Sequence, residues 1–408
     1  MLGVKIAALP ASLRRTNQRT VISLLLRLGS ASRADLAKAA GISQPTAGKI
    51  TTELLRLGIL QEAGSAADEA NGNGRNHGPR LGRPGQLLRL DDRRARFIVI
   101  ELGVSETCVS ALPVAVKLED EWTFSFPTPQ SAEAWVKALK ALAAKIEIRS
   151  GLLWGVLVSV PGIVDEEGGK VLFSPNLHWL EKVSLPKLVG KIWPLPVLLV
   201  QEIRALALGH LVAEPGGEDF LLVDFGQGVG GAIVSEGKLY SHPMPLSGEI
   251  GHTPVAGNQR RCGCGATGCL ETLVSERGLL EDFARSQAST APSWKALVRE
   301  VAEQGVKPWL SETLAATALV IAGALNVLGL HRVVVTGRLA DLPGAVEHLA
   351  AEIRRGAMWG RFGEVFCQTA PHRRTAGLVG VGLDRLVLPT GDERGAFSQD
   401  LTPASNPK

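Results

Sequence analysis

The sequence predicts an α/β protein of two repeated units, with a winged helix-turn-helix at its N-terminus. Three observations predict it. From about residue 96 onward, short runs rich in β-branched residues alternate with apolar helical stretches. Two of these runs, FIVIELGVSETCVSALPV and FLLVDFGQGVGGAIVSEGKL, each read as strand, glycine turn, strand. Charge is divided unevenly: residues 1–90 hold 13 Lys/Arg against 5 Asp/Glu, a net of +8, whereas the remainder nets −4.

At 408 residues the chain is too long for one small core and should hold two or three domains. Its apolar (45%) and charged (21%) fractions are those of a soluble globular protein. Five cysteines do not make a disulfide framework, which points to a reducing compartment. MLGVKIAALPASLRR has no proper signal-peptide core, and no uninterrupted apolar run reaches about 18 residues. The expectation is a cytoplasmic protein with no membrane partner.

Residues 1–15 read as an arm and 16–90 as a DNA-binding head. Val21, Ile22, Leu24, Leu25 and Leu28 give one apolar helix face, ended by Gly29. Ser32 caps a second helix that buries Leu36, Ala37 and Ala40 and closes at Gly41. Ser43 caps a third, with Pro45 in its first turn and Ile50, Leu54 and Leu55 inward. A short second helix, a glycine turn and a polar-faced third helix are the helix-turn-helix pattern, and the basic charge supplies a reason to bind a polyanion. Ser43, Gln44, Thr46, Ala47 and Lys49 fall early on the third helix, where side chains reach base edges; Arg33 and Thr51 suit phosphate. ILQEAG and QLLRL then read as two strands of a wing around a long polar loop. Arg75, Arg80 and Arg83 in that loop suit the phosphate backbone or a minor groove, while residues 65–74 read as linker.

In the body, residues 91–388, an Ala/Lys/Leu helix (132–148) follows the first hairpin, then buried strands at 153–160 and 197–200. The second cycle starts at Phe220, so a lobe boundary falls near 210–220, with a ligand cleft expected between the lobes. Residues 314–328 form a long apolar helix, HRVVVTGRL a strand, and 374–388 a last helix packing back on the first lobe.

VSVPGIVD (158–165), SPNLHW (174–179), GQGVGGAIVSEGKL (226–239), SGEIGH (247–252) and CGCGATGCLE (262–271) resemble the successive motifs of the ROK family. That family joins sugar kinases and sugar-responsive repressors on an actin-like, ribonuclease-H-like ATPase fold, and its repressors carry an N-terminal winged helix. The resemblance covers roughly residues 16–388; the tail 389–408 lies outside it and reads as disordered.

Three thiols and one imidazole, spaced His252-x9-Cys262-x-Cys264-x4-Cys269, make a closed tetrahedral set suited to structural Zn2+. Gly263, Gly265 and Gly268 let the backbone curl around a common point. A Cys262–Cys264 disulfide would be strained and no CxxC pair exists, so unliganded reduced thiols are the remaining alternative. Such a knot pins Glu249, His252 and Glu271 together, leaving one imidazole nitrogen for a ligand hydroxyl. The resemblance implies Asn176, Glu202, Glu249, His252 and Glu271 as a sugar-binding shell.

The kinase motifs depart from the family pattern. Glu101-Leu102-Gly103-Val104-Ser105 stands where D-x-G-G-T is usual, and Gln227 replaces a threonine in the second phosphate loop. Thr336-Gly337-Arg338 replaces a Gly-Gly turn, and Gln201-Glu202 stands at the Asn-Asp base pair. Val104 puts a branched side chain where backbone should meet phosphate. Glu202 is thus a vestigial base position, and the reading is a non-enzymatic repressor of carbohydrate genes. It would bind a double-stranded operator as a homodimer or dimer of dimers, under a sugar effector. A sugar kinase, a bifunctional kinase-regulator, and a repressor governed by a protein partner are the alternatives.

Overall fold

The computed structural model describes residues 10–65, 86–116, 123–150, 153–214, 219–241, 246–287 and 292–388. The head contains α1 (Pro10–Leu28), β1 (Ser30–Ser32), α2 (Arg33–Ala40), α3 (Gln44–Arg56), β2 (Leu60–Ser65) and β3 (Gln86–Leu90). The caps are those the residue types call for. Ser32 accepts from the Asp35 N–H and Ser43 from the Thr46 N–H, while Gly41 ends α2 with φ of 65°. The strands pair antiparallel in the order β1-β3-β2. The expected arm is shorter than residues 1–15, because α1 starts at Pro10, where a missing N–H is harmless. Arg14 and Arg15 then fix this first stretch by pairing with Glu53 and Asp384. Residues 1–9, the wing loop with Arg75, Arg80 and Arg83, and the tail 389–408 lie outside the described residues.

The first lobe runs β4 (Phe97–Leu102), β5 (Glu106–Leu112), β6 (Thr123–Pro127), α4 (Ala132–Ser150), β7 (Gly155–Val160), β8 (Ile163–Asp165), β9 (Lys170–Phe173), α5 (Leu185–Gly190), β10 (Val197–Gln201) and α6 (Glu202–Ala213). The second runs β11 (Phe220–Phe225), β12 (Val229–Ser235), β13 (Lys238–Leu239), α7 (Glu271–Val274), α8 (Glu276–Gln287), α9 (Trp294–Gln304), α10 (Pro308–Leu328), β14 (Arg332–Gly337), α11 (Ala345–Gly356), β15 (Phe366–Thr369) and α12 (Arg374–Gly382). A π-helical turn, Leu383–Val387, extends α12. The two main sheets are ordered β6-β5-β4-β7-β10 and β13-β12-β11-β14-β15. In each, the first three strands meander antiparallel and the last two add in parallel. This is one topology used twice. β7 and β11 are buried at every residue, as central strands covered on both faces must be. β6, the β8-β9 hairpin and β15 escape a sequence reading because they are short and half-exposed, without a clean apolar period.

Trp135 and Leu139 of α4 cover one face of the first sheet, and Leu378, Val379 and Val381 of α12 cover the other. That second core continues without a break into the head, taking in Val21, Leu24 and Leu25 of α1 with Leu54, Leu88 and Leu90. Head and body therefore share one apolar interior. The connection between them is also anchored, since buried Asp91 pairs with Arg94 and Arg96, and Arg96 stacks 4.7 Å over Trp154. α10 is long and apolar enough, by length and composition, to cross a bilayer. Its Leu310, Leu314, Ala318, Ile321 and Leu325 instead fill the core of the second lobe.

α6 and α12 meet at backbone contact. A Cβ at Gly377 would lie 1.9 Å from the Ala205 carbonyl oxygen, and one at Gly209 equally near that of Arg373. Gly377→Ala should therefore cost about 1–3 kcal/mol in urea denaturation, because backbone has to move. Gly323→Ala, in α10 with open space around it, should gain up to about 1 kcal/mol from helix propensity.

Candidate functional site

The lobes enclose a cleft of about 960 Å³, into which the C-terminal ends of the central strands and the glycine turns open. Asn176, Glu202, Glu249, His252 and Glu271 all line it, so the structure brings the five expected shell residues to one cavity. Each is held by its own local constraint. Glu202 is the first residue of α6, and Glu271 the first of α7. Glu271 accepts from the Val229 N–H at 3.0 Å, tying it to the glycine turn before β12. Glu249 accepts from the Gln201 amide at 3.5 Å and lies 3.7 Å from His252 Nε2. Burial raises the Glu249 pKa; the His252 charge pulls against that rise, the Glu271 charge adds to it by less, and the Gln201 hydrogen bond opposes it. Asn176 is exposed and sits against the Gly263 turn, where a Cβ would be 3.5 Å from its Oδ1.

Beside these acids the donor atoms of His252, Cys262, Cys264 and Cys269 all lie within 4.8 Å of one another. His252 Nδ1 is 3.6 Å from Cys262 Sγ, and the Cys264 and Cys269 sulfurs are 3.7 Å apart. A tetrahedral zinc with bonds of about 2.3 Å to sulfur separates two sulfurs by about 3.8 Å, so this donor set fits the ion. Burial pushes the Cys262 thiol up to about 12, and a cation has to displace its proton. Cys108 and Cys367 are far from this set, half-buried in strands, and burial pushes each up to about 11.

The opposite half of the cleft holds charges that are paired with one another. Arg374, at the start of α12, pairs with Glu202 and lies 4.0 Å from Glu101. Asp224 accepts from Thr336 at 2.7 Å and from His372 at 2.8 Å. Arg338 pairs with Glu276 and Asp341. Gln227 donates to Ser105 at 2.6 Å, linking the glycine turns of the two lobes. The sequence reading missed Arg374, His372 and Asp224; the only available signal was Arg373-Arg374 heading the small-residue helix TAGLVGVG.

A model of the ROK family matches residues 97–383, 70% of the chain. The chain belongs to the ROK family. Among its relatives is the xylose repressor of Caldicellulosiruptor bescii, 29% identical over 275 residues. The match covers 66% of this chain and 66% of that repressor, slightly under two thirds of its length. A solved ROK transcriptional regulator, described as a homologue of the Escherichia coli MLC protein, superposes with a TM-score of 0.69 at 19% identity. It covers 91% of this chain and 97% of its own. A ROK glucokinase from Streptomyces griseus, solved with glucose and AMPPNP, superposes with a TM-score of 0.57 at 24% identity over 70% of this chain and 97% of its own. These structural likenesses show the fold, an actin-like duplicated α/β body, with the regulator matching 91% of this chain and so reaching into the head as well. The ROK family thus includes kinases, while the xylose repressor among its relatives is a regulator by name.

On the head, α3 presents Gln44, Pro45, Lys49, Thr52 and Arg56 to solvent, with Ser43 and part of Thr46 at its start, and Arg33 half-exposed on α2. Ala47 and Thr51, expected on the DNA side, are instead fully buried. They fall on the core side of α3 with Ile50 and Leu54, and Thr51 spends its hydroxyl on the Ala47 and Gly48 carbonyls. Thr52 and Arg56 lie one and two turns beyond Lys49, and with Arg14 they border a shallow groove that sequence reasoning missed.

Burial would push the Asp224 carboxyl up, but the His372 and Thr336 hydrogen bonds and the His372 and Arg374 charges hold it below the usual carboxylate range. A depressed folded pKa gives stability that is complete above the unfolded value of about 3.9 and is lost as the pH falls through the folded one. Asp224→Asn should flatten the acid limb of the stability curve, read as Tm between about pH 5 and pH 3. An unchanged limb would place the acid-sensitive carboxylate elsewhere.

Proposed function

We propose that this chain is a sugar-responsive transcriptional repressor of carbohydrate genes whose kinase-like cleft serves as a sensor. The observation that carries this reading is the uninterrupted core from α1 and α3 into α12, which joins a DNA-reading head to a carboxylate-rich cleft. The name of the xylose-repressor relative supports it. The head binds a double-stranded operator through Ser43, Gln44, Thr46 and Lys49 at the bases and Arg33 at phosphate, joined by Thr52 and Arg56. Arg80 and Arg83 of the wing loop are assigned to phosphate or the minor groove on sequence grounds alone. A homodimer, or a dimer of dimers, would set two α3 helices about 34 Å apart on a pseudo-palindromic site. Such a regulator works in the cytoplasm, where DNA and reduced thiols are found.

In this reading Asn176, Glu202, Glu249, His252 and Glu271 bind a monosaccharide, each carboxylate accepting hydroxyl protons. Structural zinc on His252, Cys262, Cys264 and Cys269 supplies no reactive position, since four protein ligands close its shell. Its work is to hold the loop before His252 against the loop before Glu271. The body is not an enzyme. The carboxylates Glu101 and Glu202 are paired with Arg374, Gln227 is hydrogen-bonded to Ser105, and the Val104 side chain lines the cleft where family kinases carry a second glycine. Sugar binding changes operator affinity, and by reciprocity the operator changes sugar affinity by the same factor.

A thermal-shift screen of about two dozen pentoses, hexoses, amino sugars and their phosphates, D-xylose and D-glucose included, should find a sugar that raises Tm. That sugar should change affinity for a duplex selected by the protein from a random pool; tight binding with no change in DNA affinity sinks the reading. A coupled assay with Mg-ATP should detect no turnover of the same sugar. Cys264→Ser should remove the metal and weaken sugar binding roughly tenfold or more. Full-strength sugar binding in a metal-free variant would show that the knot does not organise the cleft.

A further inference from the structure

Two carboxylates connect the cleft to the DNA-reading head by a route built almost wholly of ion pairs and one rigid helix pair. At the cleft, Glu202 heads α6 and Arg374 heads α12, and their side chains are paired. The Arg374 side chain is only 14% exposed, and its second neighbour is Glu101 at the end of β4. The pair sits where the two helices start, and the helices themselves touch at Gly209 and Gly377 with no room for sliding side chains. Ten residues along, α12 passes into the π-helical turn that carries Asp384. Asp384 Oδ1 accepts from Arg15 Nε at 2.9 Å and from Arg19 Nε at 2.7 Å, two residues one turn apart on α1. On the adjacent flank of α1, Arg14 and Gln18 both donate to Glu53 of α3, at 3.2 and 2.8 Å.

We propose that Arg374 is a positioning residue that couples occupancy of the cleft to the head, through α12 and the pairing of Asp384 with Arg15 and Arg19. The proposal rests on the reading of the cleft as a sugar site. Glu202 belongs to two networks, the sugar shell and the Arg374 pair. A hydroxyl that donates to Glu202 competes with the guanidinium, which is left to Glu101 alone. This gives the two arrangements with different ligand contacts that any coupling between sites requires. Because α6 and α12 are locked by backbone contact, a change at their shared start moves them as a unit. The far end of that unit is Asp384, and α1 turns on it. A helix held by side-chain charge pairs at its N-terminal half responds to a small shift by gaining or losing those pairs, which alters the seat of Glu53 and hence of α3.

Amide hydrogen exchange on the full-length chain tests this without knowledge of effector or operator. Arg374→Gln should speed exchange of α1 residues 14–20 roughly tenfold, while α10 in the second lobe keeps its wild-type rates. Arg374→Lys should restore most of the protection, because it keeps the charge. Asp384→Asn should speed α1 to the same extent and leave the first turn of α6 unchanged, and by reciprocity it should tighten sugar binding by the factor with which sugar speeds α1 in the wild type. Wild-type α1 rates in folded Arg374→Gln overturn the proposal. If that variant loosens α10 as well, Glu202→Gln replaces it, and unchanged α1 rates there are equally fatal. With D-xylose as probe, or D-glucose where D-xylose does not shift Tm, bound sugar should speed α1 in the wild type and have no further effect in Asp384→Asn. A chain that binds no sugar in the screen overturns the sensor reading, and the response of α1 to Arg374→Gln still decides the coupling.

Discussion

Gly209 and Gly377 allow α6 and α12 to cross with their backbones in contact, and much of the molecule is arranged around that crossing. α6 packs its Ile203, Leu206 and Ala207 onto the second sheet, whereas α12 packs onto the first. The crossing is therefore where the two lobes are joined, and it lies beneath the floor of the cleft. Both helices begin at that floor, so the groups at their first residues face each other across it. The head is seated on the same unit from outside. A side chain at either glycine would push apart the lobes, the cleft carboxylates and the seat of the head together.

The cleft separates into two electrostatic halves. Around the cysteine knot, Glu249 lies 3.7 Å from His252, and its raised pKa follows from burial, with the Glu271 charge adding less than the His252 charge takes away. Around the glycine turns, Glu101, Glu202 and Asp224 are matched by Arg374 and His372. Burial raises the Glu101 pKa, with Arg374 pulling against it. Among the described residues there, the positive charges are already paired, so a polyphosphate bringing several negative charges meets no surplus. A neutral polyol meets acceptors in the other half, which accords with the proposed sensor reading.

Much of this was legible in the chain because it depends on local pattern. Ser32, Ser43 and Gly41 announce the ends of the head helices, and the spacing of His252 and the three cysteines announces a converging donor set. The duplicated hairpins FIVIELGVSETCVSAL and FLLVDFGQGVGGAIVS gave away the repeated topology. What failed was of another kind. Ala47 and Thr51 are small residues whose side of α3 depends on a turn of a few tens of degrees, and burial chose the core for both. Arg374, His372 and Asp384 are far in sequence from their partners, and nothing near them says which acid or base they will meet. Pairing across 369 residues, as between Arg15 and Asp384, is a property of the fold alone.

The orientation of His252 has a chemical consequence for what the cleft accepts. Its Nδ1 faces the thiols and its Nε2 faces the cavity. With a cation on Nδ1, the ring proton is confined to Nε2, and the imidazole becomes a donor that cannot reverse. Beside it, 3.7 Å away, Glu249 Oε2 is an acceptor. Donor and acceptor side by side match a group that receives one hydrogen bond and gives another. A hydroxyl does both, whereas a deoxy carbon does neither and a methoxy oxygen only receives. In the proposed sugar-binding reading, a cation on Nδ1 would make this ring discriminate a sugar from its deoxy or methylated counterpart, because the wrong complex leaves polar atoms unpaired.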